Sequence, residues 1–178
     1  MAHRTPSYLK DRELVETRDE QGNVHRRYEY CGDRYERKLT PPQRRAERYL
    51  GLLAALGAGS LAILATVQDT PANRRGFFGA LSMLTLIPVL GVLVGAVAAF
   101  CKRGDLTGTE YHERLILLRV LPLVGAAFLL LLAVRYAVGG AWIAFGAALV
   151  AGGVYVLVGV HEIKVPYAVH PGRKQPTE

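Results

Sequence analysis

Few residues in this chain are of a type that does chemistry, and they collect in two places. Cys101, His112, Glu113, His161 and Glu162 lie beside the ends of long apolar runs. Thiolate, imidazole and carboxylate are all competent zinc ligands. Cys101, His112, Glu113 and His161 therefore form a candidate metal set if those run ends share one level. No pair among them has a diagnostic ligand spacing, and adjacent His161 and Glu162 would point about 100° apart on a helix. The plainer reading is a group of interfacial polar residues, and no cofactor is expected.

Arginine supplies the second constellation. Arg119 interrupts the apolar stretch LILLRVLP, with Arg103 and Arg114 ahead of it. A guanidinium binds phosphate or carboxylate through a planar fork of donors, so Arg103, Arg114 and Arg119 are candidates for holding a lipid phosphate or another anion. Arg119 and Arg135 are separated by the fifteen residues 120–134. That is about 22 Å of helix, shorter than the roughly 30 Å of a hydrocarbon core. Both arginines are then expected near the two interfaces, where their long stems snorkel. None of the apolar runs contains Asp or Glu. No buried acid–base pair is therefore expected, and a proton relay would lack its carboxylate.

The elements that must position these residues follow from hydropathy. Residues 1–48 carry twelve Lys/Arg and nine Asp/Glu, after which the character changes abruptly. Four apolar runs follow at 49–67, 77–100, about 115–138 and 141–160. Each is near the roughly 20 residues that cross a bilayer as a helix. A soluble amphipathic helix would keep a polar face; the first and last runs have no charge at all. The expected fold is an all-α membrane protein: a four-transmembrane-helix bundle with a small β-rich N-terminal segment. Its expected parts are a cytoplasmic β-meander over 1–39, a transmembrane domain over 40–162 and a cytoplasmic tail over 163–178.

Orientation follows from Lys and Arg near the span ends, which tend to stay cytoplasmic. With both termini inside, twelve such residues flank the inner side and three (Arg74, Arg75, Arg135) the outer. The first 48 residues have no apolar core of the kind a secretory signal needs. The expectation is an integral protein of a bacterial plasma membrane with both termini cytoplasmic. The net charge of +7 then suits anionic lipid head groups. Acids interleaved with the arginines and tyrosines of RRYEYCGDRYERK make nucleic acid an unexpected partner. Cys31 and Cys101 both fall on the reducing side, so no disulfide is expected.

Local signals refine the elements. DEQGN and CGD read as turns between strands at 13–18, 24–30 and 34–39. Two or three strands need cover, and the alternation of Ile163, Val165, Tyr167 and Val169 makes the tail a candidate strand against them. Thr40-Pro-Pro-Gln43 and Thr107-Gly-Thr-Glu110 match capping boxes. Glu110 and Arg114 have the favourable i,i+4 order. Val138-Gly139-Gly140 permits only a tight helix–helix turn. Pro88 removes one backbone bond from its helix and is a candidate hinge. Small residues recur at helical spacing: Gly51, Ala55 and Gly59; Gly91 and Gly95; Ala144, Ala148 and Gly152. Such stripes let helices approach closely, within the chain or between copies.

With acid-free spans and a soluble part too small for an enzyme, a non-enzymatic accessory or interaction subunit of a membrane complex is expected. Its partners would be anionic lipids and a membrane protein or a second copy. The alternatives are a homo-oligomeric channel or transporter, and a membrane enzyme or lipid-binding protein with an inner-interface polar site.

Overall fold

The computed structural model describes residues 12–18, 24–71, 73, 76–102 and 104–172. It is mostly helical. Four helical stretches are long and apolar enough to cross a membrane. They are α1 (Pro41–Val67), α2 (Gly76–Cys101), the stretch Gly108–Val138 and α5 (Trp142–Lys164). The third stretch comprises α3 (Gly108–Leu115), a π-helical turn (Ile116–Val120) and α4 (Leu121–Val138). Even α5, the shortest at 23 residues, rises roughly 35 Å, enough for about 30 Å of hydrocarbon.

Packing in the helical unit is inverted relative to a water-soluble protein. Its buried face is built largely from small residues: Ala55, Ala58, Ala62 and Ala65 of α1, and Ala144, Ala147, Ala148 and Ala151 of α5. Large apolar side chains such as Leu50, Leu53, Ile87, Val94, Ile143 and Leu157 point outward. Water would penalise that surface heavily; hydrocarbon does not. Small inner faces allow backbones to approach and gain dispersion contacts, which drive helix association in lipid. α1 lies along α2 and α5, and α4 along α2 and α5.

Two connections set the helix pairing. Between α4 and α5, Gly139 N–H donates to the Arg135 carbonyl (3.0 Å) and Ala141 N–H to that of Tyr136 (2.9 Å). Gly140 takes a φ of 72° there, a value that costs glycine little. Between α1 and α2, Asn73 is the centre of a half-buried polar knot. Its Nδ2 donates to the carbonyls of Ala65 (3.1 Å) and Gln68 (2.8 Å), groups left open where α1 ends. Its Oδ1 accepts from Ser82 (2.7 Å) and Tyr136 (2.7 Å). The two carbonyls dictate which way the amide points, since a reversed Oδ1 would face other acceptors. Tyr136, fully buried, also reaches the Ala65 carbonyl at 2.9 Å. Its one proton serves a single acceptor at a time. Tyr136→Phe should cost about 1 to 2 kcal/mol through lost hydroxyl bonding, read as a lower unfolding midpoint in detergent.

A second compact unit gathers the described residues up to Arg37, Gly104–Tyr111 and the chain from Tyr167. Strands β1 (Arg12–Arg18) and β2 (Val24–Tyr30) pair antiparallel, with Leu14 opposite Tyr28. β3 (Arg34–Arg37) does not extend this hairpin into the expected meander. It lies between β4 (Leu106–Thr107) and β5 (Tyr167–His170) in a separate sheet of order β4-β3-β5. Arg34 faces His170, and Arg37 faces Tyr167. The divergence begins after β2. Tyr30 Oη donates to the Asp33 carbonyl (3.0 Å) and accepts from Gly108 N–H (2.8 Å). Asp33 in turn accepts from Gly172 N–H (3.0 Å). The CGD turn is thus tied to the tail and the α2–α3 connection rather than closing a hairpin. The tail itself enters as a strand from Tyr167, while Ile163 of the expected alternation still belongs to α5 and Val165 caps it. β4 was not legible, because two residues beside a helix cap carry no strand pattern.

Candidate functional site

Local geometry around Arg114 and Arg119 begins with Pro122. A proline has no N–H for the carbonyl four residues back, here that of Leu118, and its ring crowds that carbonyl. The helix responds ahead of the proline by widening. Leu121 N–H bonds Ile116, five residues earlier, in place of an α-helical partner. The wider turn needs room, and glycines of α2 and α5 provide it. A Cβ on Gly95 would lie 2.7 Å from Leu117 Cβ, and one on Gly91 would collide with Leu121 Cδ1. On the other side, a Cβ on Gly159 would lie 3.0 Å from the Leu123 side chain and 3.4 Å from the Arg119 carbonyl. Gly91 and Gly95 thus seat a bulged turn of the same chain.

Two residues before the bulge, Arg114 Nη2 donates to Glu162 Oε1 of α5 at 3.1 Å. The side chains are 16% and 8% exposed, an ion pair whose carboxylate is buried and whose guanidinium is half-buried. Both residues lie just outside the apolar runs, within which no pair was expected. Glu162 lies just past the apolar run 141–160, but α5 continues to Lys164 and carries its carboxylate against α3. The expected Glu110–Arg114 bond is replaced in part. Arg114 engages Glu162, and Glu110 completes the capping box. Glu110 Oε2 accepts from Thr107 N–H (2.9 Å) and Thr107 Oγ1 from Glu110 N–H (3.4 Å). Arg114 Nε is buried without a hydrogen-bonding partner among the described residues. Next to Glu162, His161 Nε2 meets Glu47 Oε1 of α1 at 2.8 Å. α1, α3 and α5 are therefore joined by charged groups at one end.

The proposed metal set is dispersed. His161 is committed to Glu47, while Cys101, His112 and Glu113 are exposed. Among the described residues no three His, Cys, Asp or Glu side chains come together as a metal site. Arg119 is half-buried in the π turn. Arg103 lies outside the described residues. Arg135 places its guanidinium 5.6 Å from the Phe78 ring centroid, a cation–π contact. The structure buries Ala55, Gly59, Ala144, Ala148 and Gly152, and leaves open space over Gly51.

No family model, curated protein or solved structure matches the chain. Function must therefore be argued from geometry alone.

Pro88 is buried within α2, which runs through it without a break. It packs against α4 and α5 at Gly125, where an added Cβ would meet Pro88 Cβ at 3.4 Å and the Tyr155 ring at 3.3 Å. That position fits a packing role for Pro88 better than a hinge. Tyr155 is fully buried there, and its hydroxyl has no hydrogen-bonding partner among the described residues. An unpaired buried hydroxyl costs about 1 to 3 kcal/mol. Tyr155→Phe should therefore raise the unfolding midpoint, with a gain of about 1 kcal/mol. A loss on removing the oxygen would show that the hydroxyl is used.

On the sheet unit, Tyr111 stacks on Tyr35 with centroids 4.1 Å apart and planes at 3°. Tyr111 also meets the Tyr167 ring edge-on at 5.1 Å. Arg37 Nε donates to Tyr167 Oη at 3.0 Å. The opposite face carries His170 beside Glu36 at 3.2 Å. One face of this sheet is thus covered by Tyr111, while the other presents polar side chains.

Proposed function

We propose that the protein is a non-enzymatic, multi-pass subunit of a membrane complex: a four-helix bundle with a soluble contact surface on its cytoplasmic side. The observation that carries this reading is the sheet β4-β3-β5. β3 precedes α1, β4 connects α2 to α3 and β5 follows α5. Strands that pair in one sheet share one side of a bilayer, which supports four crossings with both termini together. The excess of Lys and Arg beside these segments favours the cytoplasm. A folded surface made from three separate segments is a scaffold for contact with another membrane protein or a second copy. A conducting path within one chain has less support, because buried Thr66 and Thr85 bond carbonyls of their own helices and Ser82 is held between the Phe78 carbonyl and Asn73.

Two measurements test the proposal. Purification of the full-length chain from its native membrane in mild detergent should retain a membrane protein or a second copy in fixed ratio. A strictly monomeric particle that retains nothing overturns the contact role. Cys101, exposed at the end of α2, should resist a membrane-impermeant thiol reagent in intact cells and react after permeabilisation. Labelling in intact cells reverses the orientation.

A further inference from the structure

We propose that the start of α1 holds the phosphate of an anionic membrane lipid at Arg45 and Arg48, with the lipid's acyl chain laid along the seam between α1 and α2. Three observations lead there. First, the two arginines share one side of one helix. They are three apart in α1, which is continuous from Pro41 to Val67, and side chains at i and i+3 lie about 5 to 6 Å apart at Cβ. Second, both are available. Arg45 is exposed and Arg48 half-buried, and neither has a hydrogen bond or ion pair among the described residues. The charged groups beside them are engaged elsewhere. Arg44 Nε donates to the Leu39 carbonyl (2.9 Å), and Glu47 meets His161 of α5 (2.8 Å). Glu47 is the only carboxylate of α1, and two residues place it about 200° around the helix from Arg45. No acid of their own helix therefore offsets Arg45 and Arg48.

Third, the surface that continues from the arginines has the layering of a lipid. Tyr49, four residues after Arg45 and so on its face, meets the Phe100 ring of α2 edge-on, with centroids 5.3 Å apart and planes at 74°. Aromatic rings of this kind gather at head-group level, and Arg45 stands one helical turn, about 6 Å, outside the pair. Beyond the rings, Leu56 of α1 and Val97 of α2 are each 48% exposed. Leu56 follows Tyr49 by seven residues, about two turns along the same face. Cations, an aromatic boundary and an apolar seam thus follow one another in the order of a lipid's phosphate, glycerol and acyl chain. A free anion gains only from the first of these, which commits the site to a lipid head group. Binding of this kind is independent of the protein–protein contact proposed above.

The test uses the full-length protein in a non-ionic detergent, with native mass spectrometry and thermal unfolding as readouts. Phosphatidylglycerol and phosphatidylcholine are supplied at equal mole fraction. Phosphatidylglycerol should be retained preferentially. Arg45→Gln should weaken that preference roughly fivefold, the contribution of one basic side chain at an anionic surface, and Arg45→Gln with Arg48→Gln about twentyfold. Arg135→Gln, beside Phe78, should leave the preference intact. Equal retention of the two lipids by the wild type overturns the proposal, as does an Arg45→Gln variant that keeps the full preference. A loss at Arg135→Gln as large as that at Arg45→Gln would mark a general attraction to positive charge and overturn the site. Protection from unfolding by inorganic phosphate equal to that by phosphatidylglycerol would assign the arginines to a soluble anion and overturn the lipid. Should either arginine variant fail to fold, the wild-type comparison of the two lipids still decides.

Discussion

Replacing Glu162 with alanine is expected to destabilise the helical unit by about 3 kcal/mol, the lower end of the cost of stranding one member of a buried ion pair. Glu162 is only 6% exposed, so its carboxylate has already left solvent. Removing it leaves the Arg114 guanidinium against α5 with one donor lost and another already unpaired. The lower end applies because the Arg114 side chain keeps 16% exposure and a long stem that can turn toward head groups. Removing both charges is a different experiment. Arg114→Met with Glu162→Leu fills the same space without a charge, and should recover most of the loss, because an apolar pair avoids the desolvation cost altogether. Chemical unfolding in detergent measures both. A Glu162→Ala variant within about 0.5 kcal/mol of wild type, the usual range of surface substitutions, would show that the pair is effectively solvated.

The second large effect is expected at Gly95. A Cβ there would lie 2.7 Å from Leu117 Cβ and 3.0 Å from Leu118 Cδ2. Leu117 Cβ is attached directly to its backbone, so it cannot swing aside as a side-chain tip could. Gly95→Val should push α2 away from the π turn at a cost of about 2 to 3 kcal/mol, the range for overpacking a filled interior. Alanine has a helix propensity better by about 1 kcal/mol, so Gly95→Ala should lose less. Gly57 is the matched comparison. Nothing lies within 4 Å of a Cβ at that position of α1, and Gly57→Ala should be neutral or gain up to about 1 kcal/mol. Equal behaviour of the two alanine variants would mean that the close approach of Gly95 to the π turn is not maintained in the membrane.

Much of the architecture could be read from order and hydropathy. Four apolar runs separated by short polar segments leave few arrangements, because a helix is the only spanning form that satisfies its own backbone bonds without neighbours. The caps at Thr40 and Thr107, the Gly139–Gly140 turn and the strand character of the tail are likewise local signals. Each involves residues a few positions apart, and Thr40 N–H donating to Gln43 Oε1 at 3.1 Å is typical of them.

Long-range partners were not legible. Nothing in the spacing of Glu162 and Arg114 marks them as a pair, since 48 residues separate them. Only the return of α5 beside α3 makes them neighbours. The same holds for His161 with Glu47, whose α1 partner was not anticipated, and for Asn73, which looks like an ordinary loop residue until α1, α2 and α4 close around it. The π turn had a visible signal in Pro122, whose missing donor sits at the end of LILLRVLP. Its consequence for Arg119 depended on α2 and α5 leaving room for a wider helix.

By itself, then, the sequence determined that four helices are long and apolar enough to cross a membrane and where the capped start of the first one lies. Those features are set by transfer free energy and short-range hydrogen bonding, which act along the chain. Tertiary structure alone decided that β3 would join β4 and β5, that Arg114 would be held against Glu162, and that the widened turn would be seated by Gly91, Gly95 and Gly159. Those outcomes depend on which surfaces meet in space, and residues remote in sequence carry no local mark of it.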